Sequence, residues 1–225
     1  MGHALDDDET MAWKIQQRFP RMDIRNLGVS GYGTLQALIM LENELKKGNK
    51  PKCVIYGAFQ HHELRNVAQG DWLMELGEKK VPYLILINDS TFERKGLIGM
   101  HSLQLTDRLA SAYLAERTLN RFLSYKRVKD SKKLFSLIIQ EMQRTCSEYQ
   151  VSFYVVPLSY PQDEMNDLVT FLKDKGIKYI DCNVSLSPDN IIKDDGHPGE
   201  SVNDIWVERI AKRLIQDGIT HEPLL

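Results

Sequence analysis

Two clusters in this sequence carry residue types that can do chemistry. The first, Asp194-Asp195-Gly196-His197-Pro198, puts a histidine shortly after two carboxylates, in a stretch whose glycine and proline mark a loop. A carboxylate at that distance can fix one imidazole nitrogen and leave the other to act as a base. A three-residue offset selects Asp194 and a two-residue offset selects Asp195, and the spacing leaves both open. Taken alone, the motif reads as a solvated turn.

The second cluster is Asn26-Leu27-Gly28-Val29-Ser30-Gly31-Tyr32-Gly33-Thr34. An extended run, Met22-Asp23-Ile24-Arg25, leads in, and an amphipathic stretch from Leu35 to Lys47 leads out. Glycines packed into such a junction let the backbone turn sharply and keep its N–H groups exposed. Near a helix N-terminus those N–H groups can hold an anion or a developing oxyanion. The plain alternative is a tight turn capped by Thr34.

The elements that must position these clusters follow from hydrophobic period and punctuation. Asp8-Glu9-Thr10 opens a helix that runs to about Phe19 and is stopped by Pro20, with Met11, Ile15 and Phe19 on one face. A first strand is expected over about Met22 to Leu27. Leu35, Leu38, Ile39, Glu42 and Leu45 then follow helical spacing. Cys53-Val54-Ile55-Tyr56 reads as a strand buried on both faces, ending in Gly57-Ala58-Phe59-Gln60-His61-His62-Glu63. The runs 81–87 and 97–101 read as hairpin arms around Asn88-Asp89-Ser90. Helices are expected over about 107–126 and 130–149, a buried strand over 151–156, a helix over 163–175 and a short strand over 178–181. The last helix, about 201–216, carries Val202, Ile205, Trp206, Ile210 and Leu214 as its core stripe. Strand–helix alternation with short connections predicts a mostly parallel sheet between helix layers, three layers in all, within a single domain spanning 1–225. Ligands in such folds bind at the carboxyl ends of the strands, which is where both clusters would lie.

Composition sets the bounds. The 225 residues suffice for one sizeable α/β core. Charged residues make up 27% and balance to a net charge of -2, so there is no electrostatic basis for nucleic-acid binding. Cys53, Cys146 and Cys182 are too few and too widely spaced for a disulfide frame or a zinc site. No apolar run approaches the roughly 20 residues of a membrane span. His61, His62 and Glu63 are weak metal candidates, because adjacent strand residues point to opposite faces. Met40 and Met74 read as core.

The order and spacing of the clusters resemble the SGNH (GDSL-type) esterase/lipase superfamily over nearly the whole chain. The 26–34 segment is similar to that family's second block, with Gly31 on its oxyanion glycine. Residues 56–66 stand where the third block falls, and Asp194–Pro198 resembles the fifth block, which supplies the catalytic histidine and its acid. The resemblance implies an ester hydrolase of three-layer α/β/α, flavodoxin-like type, with an insertion around residues 81–128 capping the site. His197 would be the base, Asp194 or Asp195 its partner, and Gly31 an oxyanion donor. It implies no cofactor, and a small-molecule ester or acylated sugar as substrate. Two departures stand out. The third block lacks its usual Gly-x-Asn-Asp, leaving Gln60 or His61 as possible further donors. The Gly-Asp-Ser block that supplies the nucleophile is missing, together with the first, central strand of the sheet, and Gly2–Thr10 resembles what normally follows that block. The expectation is a chain truncated before its nucleophile, whose missing N-terminus could have carried an export signal or an anchor. Intracellular is the default for the chain as written. Ser90, in Asn-Asp-Ser, imitates the missing block but sits in turn chemistry; Ser30 reads as a local backbone hydrogen-bonder. Competing readings are a non-catalytic binding or structural relic of the same fold, a sugar O-acyltransferase using the same residues, and a flavodoxin-like phosphate binder built on the glycine turn. The last lacks the Gly-Lys-Ser/Thr of a phosphate loop.

Overall fold

The computed structural model describes residues 5–103, 106 and 108–220. The expected helix start at Asp107 and the Gly2–Ala4 segment lie outside the described residues. The chain is mixed α/β and divides into two compact units. The first comprises residues 1–30, 48–59 and 145–225, and the second residues 31–47 and 60–144.

In the first unit, β1 (Cys53–Ala58) pairs in parallel with β4 (Ser152–Pro157), in a register running from Cys53↔Ser152 to Ala58↔Pro157. A parallel bridge, Val155↔Tyr179, continues the sheet on the other side of β4. This one bridge is all the pairing the expected 178–181 strand makes among the described residues. β4 is the central strand and is buried almost throughout. β1 is only half-buried over most of its length, not covered on both faces as its apolar run predicts. Helices α1 (Met11–Arg18), α7 (Gln162–Asp174) and α8 (Glu200–Gln216) complete the unit. α1 begins at Thr10, whose hydroxyl accepts the Trp13 N–H. It lies against α8, with Lys14 reaching Glu200 and Asp204 and Arg18 reaching Glu208. Ile15, Phe19, Tyr154, Val156, Val202, Trp206, Ile210 and Leu214 form the core. Ile205, expected in that stripe, is exposed instead.

The expected first strand at 22–27 is not a strand. Its backbone polar groups find a side chain rather than a ladder. The Gln16 carboxamide donates to the Met22 carbonyl at 2.7 Å and accepts the Ile24 N–H at 3.0 Å. Met22 and Ile24 still pack against the core, which accounts for the apolar alternation. Alternation reports a half-buried extended segment; a strand also needs a partner with free donors and acceptors.

In the second unit, α2 (Thr34–Lys46), α3 (His61–Asn66), α4 (Gly70–Leu76), α5 (Ala110–Lys129) and most of α6 (Ser131–Glu148) accompany an antiparallel hairpin, β2 (Val81–Asn88) and β3 (Thr91–Ile98). The hairpin turns at Asp89-Ser90 as expected, with the Asn88 carboxamide oxygen accepting from the Ser90 N–H and hydroxyl, both at 3.0 Å, but its second arm starts at once at Thr91 and ends at Ile98 instead of spanning 97–101. Trp72, Leu73, Tyr83, Ile98 and Met100 pack together under it. Arg94 of β3 forks onto Glu42 of α2, and this pairing holds the Glu42 carboxyl below its ordinary range.

α5 inverts the usual rule. Its buried residues are Glu116, Asn120 and Ser124, while Leu114, Phe122 and Tyr125 are exposed. The buried polar groups are all engaged. Glu116 accepts the Leu103 N–H and the Thr106 hydroxyl, Asn120 grips the His101 backbone from both sides, and Ser124 accepts the Gly70 N–H. α4 crosses α5 closely at Gly70, where an added Cβ would stand 2.5 Å from the Asn120 carbonyl. Gly70→Ala is therefore expected to destabilise the protein by about 1–3 kcal/mol, through overpacking that no side-chain rotation can relieve. Urea denaturation reads this as a lower midpoint at unchanged slope.

Candidate functional site

The loop that precedes α8 is folded locally into a small hairpin. Ile191 and Pro198 form an antiparallel bridge, the Ile192 N–H donates to the His197 carbonyl at 2.8 Å, and the Gly199 N–H donates to the Asn190 carbonyl at 2.9 Å. The turn closes because Asp194 (φ 64°) and Gly196 (φ 78°) adopt the left-handed conformation. Asn190 supports it from below, accepting the Ser187 N–H and donating to the Ser185 carbonyl. The outcome is that His197 Nδ1 lies 2.6 Å from Asp195 Oδ1. Asp194 is exposed and makes no such contact. Of the two aspartates that spacing leaves open, Asp195 therefore meets the ring. The Asp195 side chain is 24% exposed and the imidazole 56%. A carboxylate accepting from Nδ1–H favours the tautomer in which Nε2 carries no proton.

Also in the first unit, Ser159 lies within the strand-to-helix turn between β4 and α7. It is a non-glycine residue at φ 55°, and its hydroxyl is buried with no hydrogen-bond partner among the described residues. Next to it, Asn183 accepts the Tyr160 N–H at 2.6 Å and donates to the Tyr160 carbonyl. This joins the turn after β4 to the start of the 183–199 loop. The sequence gives no sign of Ser159, because a left-handed serine is a property of the turn rather than of local composition. Ser30 is exposed and forms no local backbone hydrogen bond among the described residues; that role falls to Asn26, whose side chain accepts the Gly28 N–H.

The remaining candidate residues belong to the second unit. Gly31 is left-handed (φ 80°), as a sharp turn requires, and its N–H has no partner among the described residues. The following N–H groups are largely committed. That of Gly33 goes to the Gln36 side chain at 3.0 Å and that of Leu35 to Asn66 Oδ1 at 2.9 Å, while Arg65 donates to the Tyr32 carbonyl. Asn66 is fully buried and also bonds Thr34. An added Cβ on Gly33 would meet Arg65 Cβ at 2.8 Å, so the approach of α3 to the turn requires glycine there. A helix start capped this thoroughly from within offers no nest of free amides for a phosphate, whereas the single amide of Gly31 remains open.

Gln60 stands as the N-cap residue of α3, His61 is exposed, and His62 is buried. Burial, with help from the Arg65 and His61 charges, pushes the His62 pKa down to about 3. No group of three or more histidine, cysteine or acidic residues among the described residues could hold a metal ion. Ser90 is engaged in its hairpin turn. The cysteines are free thiols, and burial raises the pKa of Cys146 and Cys182 to about 12. Met40 and Met74 are partly buried.

Comparison with protein-family models, curated proteins and solved structures finds no match to this chain.

Nitrogen-15 NMR of the His197 ring is expected to report the Nδ1–H tautomer in the wild type and in Asp194→Ala, and a tautomer mixture in Asp195→Ala; an unchanged Asp195→Ala spectrum would refute the pairing. For His62, the folded state resists a proton that the unfolded state takes up near the ordinary value of 6.5. Stability is therefore lost as pH falls below about 6.5, by up to about 1.4 kcal/mol per pH unit, until the folded-state value is reached. The carboxylates held below their ordinary range, Glu42, Asp71 and Asp217, lose their contributions only at about pH 4.5 and lower. Urea midpoints between pH 7 and pH 5 thus isolate the histidine, and His62→Gln should flatten that part of the profile.

Proposed function

We propose that this chain carries the base and the orienting carboxylate of a serine-type acyl-transfer enzyme of the SGNH kind. The observation that supports the reading is the Asp195–His197 pair, held at 2.6 Å through Nδ1 with the ring half-exposed. In the proposed reaction a serine hydroxyl gives its proton to His197 Nε2 as its oxygen attacks an ester carbonyl. Asp195 stabilises the imidazolium, which returns the proton to the departing alkoxide. Water then releases the acyl group by the same route in reverse, or a sugar hydroxyl accepts it. Substrates of this reading are small esters or acylated sugars, and it calls for no cofactor. The resemblance names Gly31, Gln60 and His61, all of the second unit, as sources of oxyanion N–H groups, and the proposal itself rests on the Asp195–His197 pair. The finer assignment of the fold, a three-layer arrangement of SGNH type with an insertion around 81–128, belongs to the same proposal; the parallel β1–β4 pair and its continuation at Tyr179 support it.

The nucleophile is unassigned. The sequence contains no Gly-Asp-Ser segment, Ser90 is engaged in its turn, and the Ser159 hydroxyl is buried. The test begins with the genomic DNA upstream of the Met1 codon. An in-frame Gly-Asp-Ser after an apolar strand supports the proposal, and the longer protein is then assayed on p-nitrophenyl acetate. His197→Ala is expected to lower kcat about 10³-fold or more, with Asp195→Asn also strongly impaired and Asp194→Asn close to wild type. Hydrolysis that survives His197→Ala would overturn the mechanism. A genuine start at Met1, with no hydrolysis, would favour a non-catalytic binding protein of the same fold.

A further inference from the structure

The inverted helix α5 supports a conclusion that is independent of the His197 chemistry. Its inward face is polar and fully hydrogen-bonded through Glu116, Asn120 and Ser124, so the apolar face has been left outward. Leu114, Ala115, Thr118, Leu119 and Phe122 line a shallow apolar trough, and Tyr125 continues the stripe by one more turn. Phe122 is 76% exposed and Leu114 59%. Isolated exposed apolar residues are ordinary, but a contiguous stripe at helical spacing marks an interaction surface.

Charge decides what kind of partner this surface fits. The only acid on α5 is Glu116, and it is buried. Lys126 and Lys129 stand exposed beside the stripe, with Lys129 Nζ 4.5 Å from the Tyr125 ring centre, and Lys132 and Lys133 follow at the start of α6. Arg127 lies among them, donating to the Val67 and Ala68 carbonyls. The acids nearby are Asp71, which Arg117 and Arg121 of α5 neutralise at 2.9 Å each, half-buried Asp130, and Asp89 at 3.7 Å from Lys133. A second copy would bring apolar surface but also the same cations. An anionic bilayer supplies both complements: acyl chains for Leu114 and Phe122, and headgroups for the lysines. No helix among the described residues is long and apolar enough to cross a membrane, so the helix would lie in the interface plane. Tyr125 then sits at headgroup depth and the lysine stems reach up along it.

We propose that the outward face of α5 is a docking surface for an anionic lipid membrane. The full chain is mixed with vesicles of equimolar phosphatidylglycerol and phosphatidylcholine, or of phosphatidylcholine alone, and floated on a density gradient. Binding to the anionic vesicles is expected to be about tenfold tighter or more than to the neutral ones, and to weaken with salt. Leu114→Glu with Phe122→Glu should reduce binding about tenfold or more, with an unchanged far-ultraviolet circular dichroism spectrum. Lys126→Glu with Lys129→Glu should remove most of the salt dependence. Independently of any loss-of-function variant, Phe122→Trp should add tryptophan emission that shifts to the blue on anionic vesicles. Absence of binding to anionic vesicles would overturn the proposal, as would binding that survives the double glutamate variant. So would a dimer in light scattering that Phe122→Glu converts to monomer, since the face would then belong to a second copy.

Discussion

The constraint on which this structure most depends is that extended backbone away from a sheet still needs hydrogen-bond partners. The described extended segments form only two short ladders and two isolated bridges, so carboxamide side chains supply the rest. A carboxamide offers one acceptor and one donor in a plane, as the edge of a strand does. Gln16 presents this edge to Met22 and Ile24, Asn120 to both polar groups of His101, and Asn183 to both polar groups of Tyr160. Asn66 does part of this work for the start of α2, accepting the Leu35 N–H while its amide donates to the Thr34 hydroxyl. Each of these residues is more than a cap. Removing one would leave buried or half-buried backbone groups unpaired, and that asymmetry makes such bonds more important than their modest net strength suggests.

This constraint also separates what the sequence discloses from what it does not. The helices are legible because their spacing and caps are local. Val202, Trp206, Ile210 and Leu214 are buried as the 3.6-residue period requires, and the hairpin is legible from Asn88-Asp89-Ser90. The segment 22–27 has the alternation of a strand, but its hydrogen-bond partner is a glutamine several residues earlier, which period alone cannot reveal. α5 is legible as a helix but not as an inverted one. A periodic pattern fixes that two faces differ, while the fully bonded inward network of Glu116 and Asn120 determines which face is buried. Ile205 stands exposed although it belongs to an otherwise buried stripe, because an apolar stripe can be wider than the core that receives it.

The candidate residues divide in the same way. His197 is marked by residue type and context, since few histidines stand between paired aspartates and a proline ahead of a helix. Which aspartate meets it depends on two left-handed residues, Asp194 and Gly196, that fold the turn and send the Asp194 side chain away. Gly31 is marked by its neighbours, and the structure adds why it differs from Gly33: the latter is glycine for the close approach of Arg65, with its amide already spoken for by Gln36. Two glycines of one motif thus serve different needs, conformation at one and clearance at the other.

The contacts that shape the 185–199 loop come largely from within it: the Ile191–Pro198 bridge, the Asn190 side chain and the Gly199 N–H. The Asp195 carboxylate, two residues away, holds Nδ1 of the imidazole at 2.6 Å within that frame. The loop runs directly into α8, which fixes it. Asn203 in its first turn is buried and donates back to the Gly199 carbonyl, and Trp206 one turn later bonds the Cys182 carbonyl at 2.8 Å. Both ends of the loop are thereby anchored by α8, so the placement of His197 and the packing of the first unit rest on the same helix.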